Sequence, residues 1–515
     1  MTRTESAALT AETPLEAPAL RWADGPVDRM LADAARAHPA RVAIRSDDTE
    51  TSYAELDAAA TDWARTLYRA EGGPPGTVAV AQALDPRFPA VYYGILRAGG
   101  TAAVVNPWLP APVLAHVLKL SKARVAIVPR EVRERLLPLL DTLPDLRRVL
   151  VLGEDLADGA GDAGLRTAAG GEEERAVMLF TSGSTGVPKA VQLSHRNIKV
   201  NAAQMAAAHR VNASSTVLLH LPIYHPMHMN TAVCVAATQV LCTSGRPVEA
   251  IELANRTGAT HYYTFPVRLL ELAAEPALSS LQLDTVRVMA SGGTAVPPRV
   301  VRALADTFGL PLLQGYGMCE TSSLASSDDP DAPREGSVGL PLEGSRIRIV
   351  DPASGSALPA YGIGEIRIQG PHVMQGYHGH TGSSPVDENG WLATGDMGHL
   401  DEDGYLFLFD RVKDAFSCGG ELVSPTAVER RLDAHPAVGD CAVVGGPDPV
   451  LGMSAVAFVV LQEGSGAGIG AVLDAVNKEL TNGQRIRRVE VVTDIPRLAT
   501  GKVARDELRG RLADA

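Results

Sequence analysis

Residues 178–191 read Met-Leu-Phe-Thr-Ser-Gly-Ser-Thr-Gly-Val-Pro-Lys-Ala-Val, a mixture of hydroxyls, glycines and one lysine suited to holding a polyphosphate. An apolar run from Ala176 to Phe180 leads in, and Ala190-Val191-Gln192-Leu193 leads out, so a tight turn between two strands is expected. Thr181, Ser182, Ser184 and Thr185 bring hydroxyl donors. Gly183 and Gly186 allow positive φ and close backbone approach. Successive amides in such a turn form an anion-binding nest, to which Lys189 adds a point charge. An ordinary polar surface turn has the same composition, so this stretch alone decides little. It is not a Walker A loop, which needs Gly before Lys and Ser or Thr after it; Lys189 lies between Pro188 and Ala190.

Other chemistry-bearing stretches follow in order: Gly315-Tyr316-Gly317-Met318-Cys319-Glu320-Thr321, Thr394-Gly395-Asp396, Asp410-Arg411-Val412-Lys413 and Pro496-Arg497-Leu498-Ala499-Thr500-Gly501-Lys502. Each is unremarkable alone. In this order and after this loop, the set resembles the acyl-adenylate-forming superfamily, which comprises acyl- and aryl-CoA ligases, luciferases and the adenylation domains of peptide synthetases. The nine positions 181–189 resemble its phosphate loop, and the likeness runs from about residue 27 to 510.

The resemblance implies ATP-dependent activation of a carboxylic acid as acyl-AMP, with Mg²⁺, and then transfer to the thiol of coenzyme A or a phosphopantetheine arm. It implies that Tyr316 stacks on adenine, that Gly315 and Gly317 give the nucleotide room, and that Glu320 ligates Mg²⁺, as a hard carboxylate oxygen should. Relatives carry Thr where this chain has Cys319; a thiol is the weaker donor, and Thr321 is the neighbour that would compensate. Asp396 and Arg411 would hold the ribose, Lys413 would be the hinge between two domains, and Lys502 would reach the α-phosphate and carboxylate. Leu221-Pro222-Ile223-Tyr224-His225 resembles the family's Leu-Pro-x-Phe-His, which puts His225 where acid and phosphate meet. Amino-acid-activating domains carry Asp there, so an α-amino acid substrate is not expected.

Ser291, Gly292 and Gly293, read as a turn, would border the acid pocket together with Tyr224, His228 and Asn230. His228 fills a place where many acyl-CoA ligases have a small residue, which implies a small, aromatic or polar acid. Ser417-Cys418-Gly419-Gly420-Glu421 resembles the Ser-Gly-Gly-Glu segment of acyl-CoA ligases and favours coenzyme A or a carrier protein as acceptor. Capture by an amine and a non-catalytic nucleotide-binding relative are the rival readings.

The elements that must position these residues are legible in the hydrophobic periodicity. Helical spacing over 27–37, 53–70 and 87–98 alternates with strand-like runs at 42–44, 78–80, 102–105, 125–128 and 148–152. That alternation predicts an α/β protein with parallel sheets. A large domain, 1–410, of stacked, mostly parallel sheets and a small α/β domain, 411–515, are expected. Residues 1–24 read as a loose leader without an apolar signal region, and 153–174 as an exposed connection.

The 515 residues carry a formal charge of −13, which argues against nucleic acid and anionic membrane as partners. Arg97 interrupts the longest apolar stretch, so no membrane span is expected. The five cysteines lack C-x-x-C spacing, as reduced cytoplasmic thiols would. Lysine occurs only seven times, and three of the seven, Lys189, Lys413 and Lys502, fall in the motifs above.

Overall fold

The computed structural model describes residues 24–46, 49–81, 83–154, 171–181, 188–221, 226–380, 382, 384–462, 464–466, 468–497 and 503–513. Outside them lie the leader up to residue 23, most of the 153–174 connection, Ser182 to Gly186, Tyr224, His225 and Lys502. Among the described residues the strands form four sheets. One runs Leu340–Pro341, Ser326–Ser327, Leu312–Tyr316, Val288–Gly292, His261–Thr264, Thr216–His220, Thr238–Leu241, Val42–Ser46 and Thr49–Ser52, with a parallel middle. The second runs Gly376–Tyr377, Lys189–Ser194, Arg175–Thr181, Thr101–Val105, Thr77–Ala81, Val125–Val128 and Arg148–Val151.

Local sequence accounts for the helices that cover these sheets. Tyr53–Glu71 starts at a capping box between Ser52 and Glu55 and stops at left-handed Gly72. His195–Ala208 starts at a second box, Ser194 with Asn197, and is buried along most of its length. It fills the space between the sheets together with Pro226–Cys234. Val217, Leu219, Tyr263 and Ala290 face this interlayer core, whereas Leu218, Tyr262 and Met289 face a separate one. Period-two alternation in the parallel strands therefore separates the two faces.

The mostly parallel sheets expected are found, with one exception, and one expectation is corrected. The sheet of Arg346–Val350, Gly364–Gln369, Leu392–Leu400 and Leu406–Arg411 is wholly antiparallel. Ser291 and Gly292 belong to a strand and not to a turn, because Ser291 pairs with Thr264 on one side and Gln314 on the other. The C-terminal part has its own mixed sheet, with Val438–Asp448 and Gly452–Leu461 as its longest pair, and its own apolar core around Val443, Ala457 and Val472. No helix among the described residues is long and apolar enough to cross a membrane.

Three buried histidines make stability pH-dependent. Burial pushes His209 down to about 3, and His195 and His372 down to about 4, from an ordinary 6.5. Each binds its proton more weakly in the fold than in the unfolded chain. Their contribution is complete above pH 6.5 and is lost as pH falls through 6.5 towards 4. Burial of Asp328 acts oppositely: its pKa rises from 3.8 to about 6, so the folded chain gains relative stability as pH falls through that window. At pH 5 the histidines cost roughly 2 kcal/mol each against roughly 1 returned by Asp328, a net loss from these four groups on the order of 5 kcal/mol relative to pH 7. Denaturant unfolding at pH 7 and pH 5 should show this loss; equal stabilities would contradict it.

Candidate active site

The strands Arg175–Thr181 and Lys189–Ser194 pair antiparallel with Thr181 opposite Lys189, so the expected hairpin closes at the two ends of the phosphate-loop stretch. Lys189 Nζ lies 4.8 Å from the centroid of the Tyr377 ring, over its face. The two-residue strand Gly376–Tyr377 brings that ring there by pairing with the outer edge of Lys189–Ser194. Backbone bonds from Gln375 to Gln192 and from His378 to Ala190 flank the pair. The Tyr377 hydroxyl donates to Glu320 Oε1 at 2.6 Å. Burial and the neighbouring carboxylate hold the phenol pKa far above its usual value, so the proton stays on the tyrosine. Lys189 and Glu320, expected together from their motifs, thus meet through a residue that the sequence reading missed. Gly-Tyr in a polar segment carries no spacing rule that would have found it.

A second cluster gathers around Tyr316, which precedes Gly317–Cys319 in the chain as Glu320 follows it. Tyr316, at the end of its strand and 7% exposed, donates its hydroxyl to Asp396 Oδ2 at 2.7 Å. Arg411 Nε lies 3.4 Å from Asp396 Oδ1, and the two residues are cross-strand partners. Asp396 sits in a bulge of the strand Leu392–Leu400, where register shifts against Gly364–Gln369. Gly395 takes φ +71° there, and Thr394 bonds Ile366 O while Val412 N–H bonds Gly395 O. Those bonds replace the interrupted ladder and aim the carboxylate.

Gly315 and Gly317 have a reason for being glycine within the chain itself. A Cβ on Gly317 would stand 1.9 Å from the Ser323 carbonyl oxygen, and one on Gly315 2.8 Å from a Leu324 methyl. The chain's own return segment forbids side chains there. Thr321 is also corrected. It is fully buried, and its hydroxyl is bonded to the backbone N–H and C=O of Met318, so it cannot compensate for Cys319. Cys319 Sγ points instead at the Phe180 carbonyl, 4.0 Å away, beside the strand that enters the phosphate loop.

Of the expected acid-pocket residues, Gly292 and Ser291 lie at the carboxyl end of a parallel strand, beside the ends of His261–Thr264 and Leu312–Tyr316. Gly293 follows with φ +95°. Crevices beyond such strand ends are where open α/β sheets hold ligands. Ser291 Oγ is buried and has no bonding partner among the described residues. The His228 ring packs on Tyr263 with centroids 4.8 Å apart. Tyr263 is itself anchored, its hydroxyl 3.0 Å from His209 Nδ1, and His209 Nε2 lies 2.9 Å from Ser327 Oγ. Asn230 departs from expectation. It is 2% exposed, accepts from Tyr93 Oη at 2.8 Å and donates to Tyr92 Oη at 3.2 Å, so its amide is a core bond and not an acid ligand.

Towards the C-terminus, Lys413 occupies the third position of a turn closed by Asp414 N–H to Arg411 O, with Nζ 3.7 Å from Asp506. Asp410 accepts from Ser424 Oγ and Thr426 N–H, and so covers the start of the helix Pro425–Asp433. Cys418 is buried, and the Glu421 carboxylate is taken up by Thr481 and Gly483. All five cysteines are free thiols. Among the described residues no group of three or more His, Cys, Asp or Glu converges to hold a metal, which leaves Glu320 as a single carboxylate beside the loop.

Residues 31–378 match the family model described as AMP-binding enzyme, and residues 427–502 match the AMP-binding enzyme C-terminal domain. The chain is 31% identical to a feruloyl-CoA synthase of an Amycolatopsis species, an alignment that covers 93% of this chain and 97% of that protein. It superposes with a TM-score of 0.84 on an anthranilate CoA ligase in complex with anthranoyl-AMP, at 25% identity and covering 95% and 97% of the two chains. An amide bond synthetase from Marinactinospora thermotolerans gives the same TM-score at 28% identity, covering 94% and 100%.

Proposed function

The chain belongs to the AMP-binding enzyme family, and from that premise we propose that it joins a small aromatic or polar carboxylic acid to a pantetheine thiol. It is an AMP-forming acid–thiol ligase that uses ATP and coenzyme A. A carboxylate resists attack because its leaving group would be oxide. Attack of the acid on the α-phosphate of ATP releases pyrophosphate and converts that oxide into AMP, which a thiol then displaces.

The observation that carries the site assignment is the pair of clusters that flank Gly317–Cys319 in the chain through Glu320 and Tyr316: Lys189–Tyr377–Glu320 and Tyr316–Asp396–Arg411. The first includes Lys189, the last residue of the phosphate-loop stretch, which with the amides of 181–186 would hold the departing pyrophosphate. Glu320 fits Mg²⁺, since Tyr377 occupies only Oε1; the ion when bound would neutralise polyphosphate charge. The second cluster offers a fixed carboxylate, which can accept both ribose hydroxyls as charge-assisted bonds. Lys502 stabilises the charge that builds on phosphate and acyl oxygen. His225 borders the reacting carboxylate. Residues 1–410 bind ATP and acid, and 411–515 form the mobile domain that turns about Lys413. The free thiols fit a reducing, cytoplasmic setting.

A small aromatic or polar acid fits the His228 ring, which packs at a tilt on Tyr263 with centroids 4.8 Å apart, where a small residue would leave more room. His228→Ala should raise KM for the native acid about 5- to 100-fold, the cost of one unpaired polar group, and admit longer apolar acids. An unchanged acid profile, or efficient turnover of palmitate by the unmodified enzyme, would sink this reading. The likeness to an amide bond synthetase keeps one rival acceptor in play. Pyrophosphate release across a panel of acids, followed by mass spectrometry with coenzyme A, a carrier protein or amines, separates the two. Amides without thioesters would overturn the thiol assignment. Retention of Lys189, Glu320, Asp396 and Lys502 argues against a non-catalytic relative.

A further inference from the structure

We propose that Tyr377 is a positioning residue that couples the phosphate loop to the metal-binding carboxylate, through its ring to Lys189 and through its hydroxyl to Glu320. The inference rests on the assignment of Lys189 to the phosphates and Glu320 to the metal. Its geometric basis is independent of that assignment. The hydroxyl donates to one carboxylate oxygen, Oε1, at 2.6 Å, and leaves Oε2 without a bonding partner among the described residues. A carboxylate pinned on one oxygen has lost a rotational freedom that a metal would otherwise have to remove. The opposite end of Glu320 is fixed too, because its carbonyl accepts from Met374 N–H.

The ring does a different task. An ammonium over a tyrosine face is held by the ring quadrupole. At 4.8 Å that attraction holds Lys189 with no carboxylate partner among the described residues that a phosphate would have to displace. Tyr377 therefore meets two requirements with two parts of one side chain. Its backbone is fixed by antiparallel pairing with Val191, two residues beyond Lys189.

The two contacts can be separated by substitution. Tyr377→Phe removes only the bond to Glu320, whereas Tyr377→Leu also removes the ring face. Binding of α,β-methylene-ATP is measured calorimetrically in EDTA, and Mn²⁺ binding to the nucleotide complex by electron paramagnetic resonance. Tyr377→Phe should weaken Mn²⁺ binding about tenfold, the loss of one bond to a charged group, with metal-free nucleotide affinity unchanged. Tyr377→Leu should weaken both. Equal losses in both measurements for Tyr377→Phe would mark a merely structural residue and overturn the proposal. Glu320→Gln is the control. If it loses Mn²⁺ affinity while Tyr377→Phe does not, the coupling is wrong and the metal assignment stands. If Glu320→Gln binds Mn²⁺ as the unmodified chain does, the metal assignment fails and takes the coupling with it.

Discussion

Lys502→Ala is expected to slow pyrophosphate release by roughly 10²–10³-fold or more, the cost of removing one preorganised electrostatic contact to a charge that develops in the transition state. Thioester formation from supplied acyl-AMP should stay largely intact. The split follows from when the charge appears: negative charge accumulates on phosphate and acyl oxygen while the adenylate forms, whereas its breakdown by a thiol uses a leaving group already made. Both half-reactions can be followed on one preparation, by a coupled pyrophosphate assay and by mass spectrometry of the thioester. Release at a near wild-type rate would remove Lys502 from the mechanism. Equal loss in both halves would point to damage to the small domain.

The second large effect concerns Asp396. Its carboxylate accepts from buried Tyr316 at 2.7 Å and faces Arg411 at 3.4 Å, while its place in the strand bulge is held by Thr394 and Gly395. Asp396→Ala would remove the ribose acceptor and strand the tyrosine hydroxyl. The two lost bonds to a charged group cost roughly 1.5–3 kcal/mol each, so ATP affinity should fall on the order of 100-fold or beyond, while the orphaned Tyr316 hydroxyl costs the fold itself about 1–3 kcal/mol. Asp396→Asn keeps an acceptor for Tyr316 and loses only the charge, so its effect should be smaller, about tenfold. Calorimetric titration with ATP distinguishes the two. Equal affinity in Asp396→Ala and the unmodified chain would show that the ribose lies elsewhere.

The hairpin around the phosphate loop was legible because its cause is local. Apolar runs on both sides of a hydroxyl- and glycine-rich turn dictate two strands and their pairing, and the structure closes them at Thr181 and Lys189. The long helices were legible for the same reason: Ser52 and Glu55 cap within one turn, and the apolar positions behind them repeat at helical spacing. Motif order carried the family, since Glu320, Asp396, Arg411 and Lys502 follow the loop in the sequence itself.

What the fold alone decided lies in contacts between residues far apart along the chain. Tyr377 meets Glu320 across 57 residues, because a two-residue strand adds to a sheet edge whose availability no local pattern announces. Gly317 is glycine because the chain doubles back and puts the Ser323 carbonyl where a Cβ would be, a clash invisible until the return path is known. Thr321 and Asn230 have side chains that suit a ligand, yet burial beside Met318 and against Tyr92 and Tyr93 uses up their bonding groups. Residue type states what a side chain can bond. Which partner it reaches is settled by sheet register and packing, because a buried polar group must find its bond where the fold provides one.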